Sequence, residues 1–182
     1  MTDLNLFDND ELLALAQLDI GAERLDAALA KLKTLLNREA PPVAALALAG
    51  RLYAQIGLLD KARLHFEQYL AYHPEAVNER FQLGMVHFDG GNSEHALELW
   101  GQVRESFPHH PPALFYSALA IGRAGRDHEA RALLQTLLNT AEPDNLYSGR
   151  AKELLASLAH EPEAAPADLQ QMEVPDQYRT QH

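Results

Sequence analysis

The side chains best equipped for chemistry in this sequence are nine histidines, 26 acids and a glycine-bearing stretch, Asp89-Gly90-Gly91-Asn92. A zinc site on a helix needs imidazole or carboxylate ligands three or four residues apart on one face. No two histidines have that spacing, and His109 and His110 fall in a proline-rich stretch. His87 occupies a slot that Tyr53 and Ile121 fill at regular distances on either side, so it is expected to be a packed, hydrogen-bonded core residue. The Asp89–Asn92 stretch lacks the Gly-Lys-Ser/Thr ending of a phosphate loop and has no strand before it, so it reads as a turn. There is no cysteine, which excludes thiolate catalysis, disulfides and Cys-ligated zinc. Neither a Gly-x-Ser-x-Gly elbow nor a His-Glu-x-x-His helix is present. The expectation is a protein that is not an enzyme, with no cofactor and no metal site.

Composition narrows the field further. Of 182 residues 47% are hydrophobic and 23% charged, enough apolar material for a core. The formal net charge of −11 argues against nucleic acid, whose binders need a basic stripe, and against an anionic membrane surface. The first residues, MTDLNLFDNDELLALAQL, carry no basic region and no continuous apolar run, and no segment approaches the length of a membrane span. A cytoplasmic protein is expected.

What the chain does contain is a period. Ala28, Ala62, Ala96 and Ala130 are spaced by 34 residues, and a bulky apolar side chain follows each four residues on, at Leu32, Phe66, Trp100 and Leu134. A small residue stands twelve before each alanine, at Ala16, Gly50, Gly84 and Ala118. Turn signals lie between the halves at Gly57, Gly91 and Gly125, with Gly21 displaced by two in the first copy. Prolines end the copies at Pro41-Pro42, Pro74, Pro108 and Pro143. Apolar steps of three and four within each half, as at Leu46, Ala49, Gly50 and Tyr53, make each copy a pair of antiparallel helices. Close helix crossings demand small side chains, so size is constrained while chemistry drifts.

The order small–aromatic–Gly–Ala–bulky–Pro at this period resembles the tetratricopeptide repeat. The resemblance implies an all-α fold, a right-handed α-solenoid of four tandem helix-turn-helix repeats with a C-terminal capping helix. After a lead-in at 1–8, the copies are 9–42, 43–76, 77–110 and 111–144, followed by the cap at 145–160 and an acidic tail at 161–182. In the first copy Glu23 stands where the turn glycine is expected and Asp19 replaces the usual aromatic. Asp8 with Glu11 three residues on resembles a capping box, and Phe7 is placed to staple onto Leu12. Tyr147, Ala151, Leu154, Leu155 and Leu158 form the stripe of the cap. The tail, with three prolines, five acids and one arginine, is expected to be disordered.

By the same resemblance the first helices line a concave groove. Its face runs through the second, fifth, ninth and twelfth positions of each copy, which share one side of a helix. Copy one presents Asp10, Leu13, Gln17 and Ile20 there, and copy two Ala44, Ala47, Arg51 and Ala54. Copy three presents Asn78, Phe81, Met85 and Phe88, and copy four Pro112, Phe115, Leu119 and Gly122. Leu13, Gln17, Arg51, Phe81, Met85, Phe88, Phe115 and Leu119 are therefore the expected partner-binding residues, the alternative being that they pack between adjacent repeats. The basic clamp of co-chaperones that hold acidic heat-shock termini is missing, since Leu13, Gln17, Leu48, Asn78 and Gln82 stand at its places.

The function expected is protein–protein interaction, as an adaptor or chaperone that holds an apolar helical or extended segment of another protein. Two alternatives stay open. One is a structural or assembly subunit whose apolar face is a homo-oligomer contact. The other is a chaperone similar to the small repeat chaperones of type III secretion, which bind translocators.

Overall fold

A computed structural model describes residues 3–142 and 144–159. All regular structure among the described residues is helical: a single 3-10 turn at Leu4–Leu6, then α1 (Asn9–Gly21), α2 (Leu25–Leu36), α3 (Val43–Gln55), α4 (Leu59–Tyr72), α5 (Val77–Asp89), α6 (Ser93–Ser106), α7 (Pro111–Arg123), α8 (Asp127–Thr140) and α9 (Leu146–Ala159). The described residues form two compact units, 3–86 and 87–159, with the division inside α5 after Val86.

The helix ends follow from local chemistry. The expected capping box is formed at α1: the N–H of Glu11 donates to Asp8 Oδ1 at 2.8 Å, and that of Asp8 donates to Glu11 Oε2 at 2.9 Å. Two of the four backbone donors left over at a helix start are thereby satisfied. Each turn inside a copy is closed by a backbone N–H reaching five residues back: Arg24 to Asp19, Leu58 to Tyr53, Asn92 to His87 and Arg126 to Ile121. That closure requires one left-handed residue. Gly57, Gly91 and Gly125 supply it with φ of 77°, 82° and 74°. In the first copy Glu23 adopts φ 56°, while Gly21 is simply the last residue of α1. The turn signal in copy one is thus Glu23, in register with the three glycines, and not the displaced Gly21.

In the first unit α1 packs on α2, α2 on α3 and α3 on α4. In the second, α7 packs on α6 and α8, and α9 packs on both α8 and α7. Ala28, Ala62, Ala96 and Ala130 are fully buried, as are Leu32, Phe66, Trp100 and Leu134. Tyr147, Ala151, Leu154 and Leu158 of α9 are buried, while Leu155 is half-buried and Lys152 and Glu153 are exposed. An array's last pair needs such a one-sided helix to cover its apolar flank. The acidic segment 161–182 expected to be disordered, and Pro143, lie outside the described residues.

Candidate functional site

The face through the second, fifth, ninth and twelfth positions changes character along the chain. On α1 Asp10 and Gln17 are exposed and Leu13 is half-buried; on α3 Ala44 is exposed and Arg51 half-buried. On α5 Asn78 is exposed, but Phe81 is only 3% exposed, Met85 8% and Phe88 8%. On α7 Phe115 and Leu119 are each 2% exposed. The large apolar members of this register are therefore covered, and its exposed members are small or polar.

In the first unit Arg51 anchors this surface. Its Nε donates to the carbonyl of Ala47 at 3.4 Å, and its Nη2 stands 3.7 Å from Glu79 Oε1 on α5. The separation is long for a charge-assisted bond, so this pair orients more than it stabilises.

In the second unit Phe88 and Phe115 are joined through rings that the face pattern did not include. Phe88 packs on Trp100 and Tyr116 with centroids 5.5 and 6.5 Å apart, and Phe115 packs on Tyr116 and Tyr147 at 5.3 and 5.7 Å. The guanidinium of Arg123 lies 5.0 Å from the Phe88 ring centroid. Tilted and edge-on contacts of this kind suit the ring quadrupoles and hold each ring in one orientation. Trp100 and Tyr147 were visible in the sequence as core and cap residues, whereas Tyr116 carried no periodic signal. His87 is buried, its ring edge-on to His95 at 4.3 Å.

A second set of polar contacts sits at one recurring pair of positions. Asp19 of α1 is buried and accepts from Arg24 Nε and Nη2 at 2.9 and 2.6 Å and from Lys31 Nζ at 2.5 Å. Those donors, Lys31 first, hold its carboxyl below the ordinary value of 3.8. One period later Tyr53 and His65 stand at the positions of Asp19 and Lys31, stacked with centroids 5.4 Å apart and rings 10° from parallel. Lys61 Nζ lies 5.4 Å from the Tyr53 ring centroid. Burial pushes the His65 imidazole below its ordinary value, against a hydrogen bond with Gln68. An ion pair in one copy is thus replaced by a ring stack in the next, each a matched pair. Each joins the two helices of its copy, α1 to α2 and α3 to α4. Among the described residues no three His, Asp or Glu side chains converge as metal ligands, and no helix is long and apolar enough to cross a membrane.

Comparison with known proteins agrees with this architecture. The sequence profile of the tetratricopeptide repeat matches residues 13–77 and 81–145. No curated protein gives a significant sequence match. Among solved structures, the chain resembles one of MamA with a TM-score of 0.69 and 17% identity, covering 80% of this chain and 81% of that one. MamA from AMB-1 aligns with a TM-score of 0.67 and 23% identity, covering 82% of this chain and 78% of that one. A tetratricopeptide repeat protein from Parabacteroides merdae gives 0.72 at 18% identity, over 83% of this chain and 60% of that one. At these identities the likeness concerns the fold.

Proposed function

Because the chain belongs to the tetratricopeptide repeat family, we propose that it is a non-enzymatic protein–protein interaction module, an adaptor or chaperone that takes an apolar helical or extended segment of a partner on the faces of its first helices. The observation that carries this reading is the run of large apolar side chains at one register: Phe81, Met85 and Phe88 on α5, and Phe115 and Leu119 on α7. The same register offers Leu13, Gln17 and Arg51 on α1 and α3. Methionine and phenylalanine together adapt to varied apolar surfaces. The large members are covered in the free chain, so a partner meets this register at its exposed members, Gln17, Ala44 and Asn78.

A charge block tests this without touching the core. Ala44→Glu with Asn78→Glu places two carboxylates at exposed positions of the register. Each exposed substitution should alter stability by no more than about 0.5 kcal/mol, yet an apolar partner would have to desolvate the new charges. Capture of the partner by the double variant should fall at least about tenfold, a loss of about 1.4 kcal/mol. Undiminished capture would place the partner elsewhere. The same loss accompanied by dissociation of a wild-type dimer would identify the occupant as a second copy.

A further inference from the structure

One period apart stand Leu36, Leu70, Arg104 and Leu138. Three copies place leucine where the third places a permanently charged side chain. Arg104 lies in the last turn of α6, is half-buried, and its Nε is buried with no hydrogen-bond partner within the protein. Burial alone lowers its pKa, with no carboxylate beside it to offset the loss of hydration. A cation in a final turn gains from the helix dipole, but that gain is available at an exposed site too, so the dipole does not require the burial.

Arg104 lines a cleft of about 620 Å³ within the second unit, together with Leu97 of α6, Ile121 of α7, and Ala132 and Leu133 of α8. That size lies in the range of small-ligand sites, about 300–1,000 Å³. Acids also line the cleft, but two are already matched: Glu98 is 2.9 Å from His95 Nδ1, and Glu129 accepts from Arg126 at 2.8 and 2.6 Å. Glu98 precedes Arg104 by six residues, about 9 Å along the helix axis at about 1.5 Å per residue, and Glu94 lies a further turn away. Both are exposed, so water and salt screen them from the arginine end.

We propose that this cleft is a second binding site, distinct from the first-helix faces, and that it takes an apolar group ending in a carboxylate: the apolar part on Leu97, Ile121 and Leu133, the carboxylate on Arg104. The planar guanidinium can offer a carboxylate two parallel donors, which a lysine could not. Free aliphatic acids and peptides with an apolar C-terminal residue share this chemistry.

The test is a titration of the full chain, followed through the methyl resonances of Leu97 and Leu133, with octanoate and with N-acetyl-Leu-Leu. Octanamide and N-acetyl-Leu-Leu-amide serve as uncharged counterparts. Each acid should shift those methyls at a concentration about tenfold below its amide, as expected for a charge-assisted pair. In Arg104→Leu the preference for acid over amide should vanish. That variant should keep the fold, because leucine occupies the same position in the other copies; Arg104→Gln serves as a second neutral variant. Stronger binding of octanoate would assign the site to free aliphatic acids, and of the dipeptide to peptide C-termini. Acid and amide acting alike on the wild type, or no shift at Leu97 and Leu133 with either acid, would overturn the proposal.

Discussion

A β-carbon on Gly50 would lie 2.9 Å from both Cδ1 and Cε1 of Phe66, closer than real side chains approach. Phe66 is fully buried and cannot retreat. The two positions covary in size along the chain: Ala16 and Ala118 go with Leu32 and Leu134, while Gly50 and Gly84 go with Phe66 and Trp100. Where the second helix brings a ring, the first gives up its last methyl. Close packing makes that trade obligatory, since interiors hold few voids and tolerate little overlap.

Gly50→Ala and Gly101→Ala should therefore have opposite effects. Both glycines are helical, so alanine gains about 0.5–1 kcal/mol of backbone propensity at each. At Gly101 a Cβ meets nothing within 4 Å, and the gain should appear as a higher melting temperature. At Gly50 the overlap with Phe66 should cost about 1–3 kcal/mol and reverse the sign. Thermal melts of the two variants decide it; stabilisation by both would mean that α3 and α4 can separate freely.

Glu23→Gly should stabilise the chain. Glu23 holds φ 56°, a conformation in which an L side chain is strained by about 1–2 kcal/mol. Glycine removes that strain but loses more backbone entropy on folding, so a net gain of about 0.5–1 kcal/mol is expected in urea unfolding. A loss would show that the exposed Glu23 side chain makes a contact worth more than the strain.

Much of this was legible beforehand, for a definite reason. Helix boundaries and crossings follow from size and period, and those are written one residue at a time: Ala96, Trp100 and the glycine turns needed no tertiary knowledge. Register also tells which residues share a face, as with Phe81, Met85 and Phe88. It does not tell what lies over that face, because burial depends on partners remote in sequence. The rings of Phe88 and Phe115 meet Tyr116, a residue outside the periodic pattern. Glu23 was misleading because left-handed backbone is signalled by glycine, and here a neighbouring glycine at Gly21 offered a false marker. Arg104 stood in an apolar column in plain view, but its meaning depends on the cleft beside it.

Ala96→Leu should destabilise far more than Glu98→Ala. Ala96 is fully buried on α6, where added methylenes force helices apart at about 1–3 kcal/mol. Glu98 is exposed and forms a surface pair with His95, and its loss should stay within about 0.5 kcal/mol. Equal midpoints in urea would mean that Ala96 does not sit at a crossing.

Stability should fall in two stages as pH drops. His65 is held below its ordinary value of 6.5 by burial, so in the folded chain it stays neutral where the unfolded chain takes up a proton. Unfolding is therefore favoured progressively as pH falls below 6.5, until the folded imidazole is itself protonated. Asp19 is held below 3.8, so its contribution is complete above that value and is lost progressively as pH falls from there through the lower, folded pKa. His65→Leu, the residue type at the same position in the third and fourth copies, should flatten the change in urea midpoint between pH 7 and pH 5 and leave the more acidic stage intact. An unchanged slope in that variant would remove His65 as its source.

The central claim, that a partner docks on the first-helix faces, is tested most directly by site-specific photo-cross-linking in the native cell. A benzophenone side chain at Gln17 or Asn78 occupies exposed positions of the proposed register, and one at Glu67 or Lys152 occupies exposed positions outside it. All four replacements spare the core, so the fold should survive each. Cross-links to a partner protein from Gln17 and Asn78, with none from Glu67 or Lys152, are the result expected. Cross-links confined to Glu67 or Lys152 would contradict the claim and move the partner to another surface.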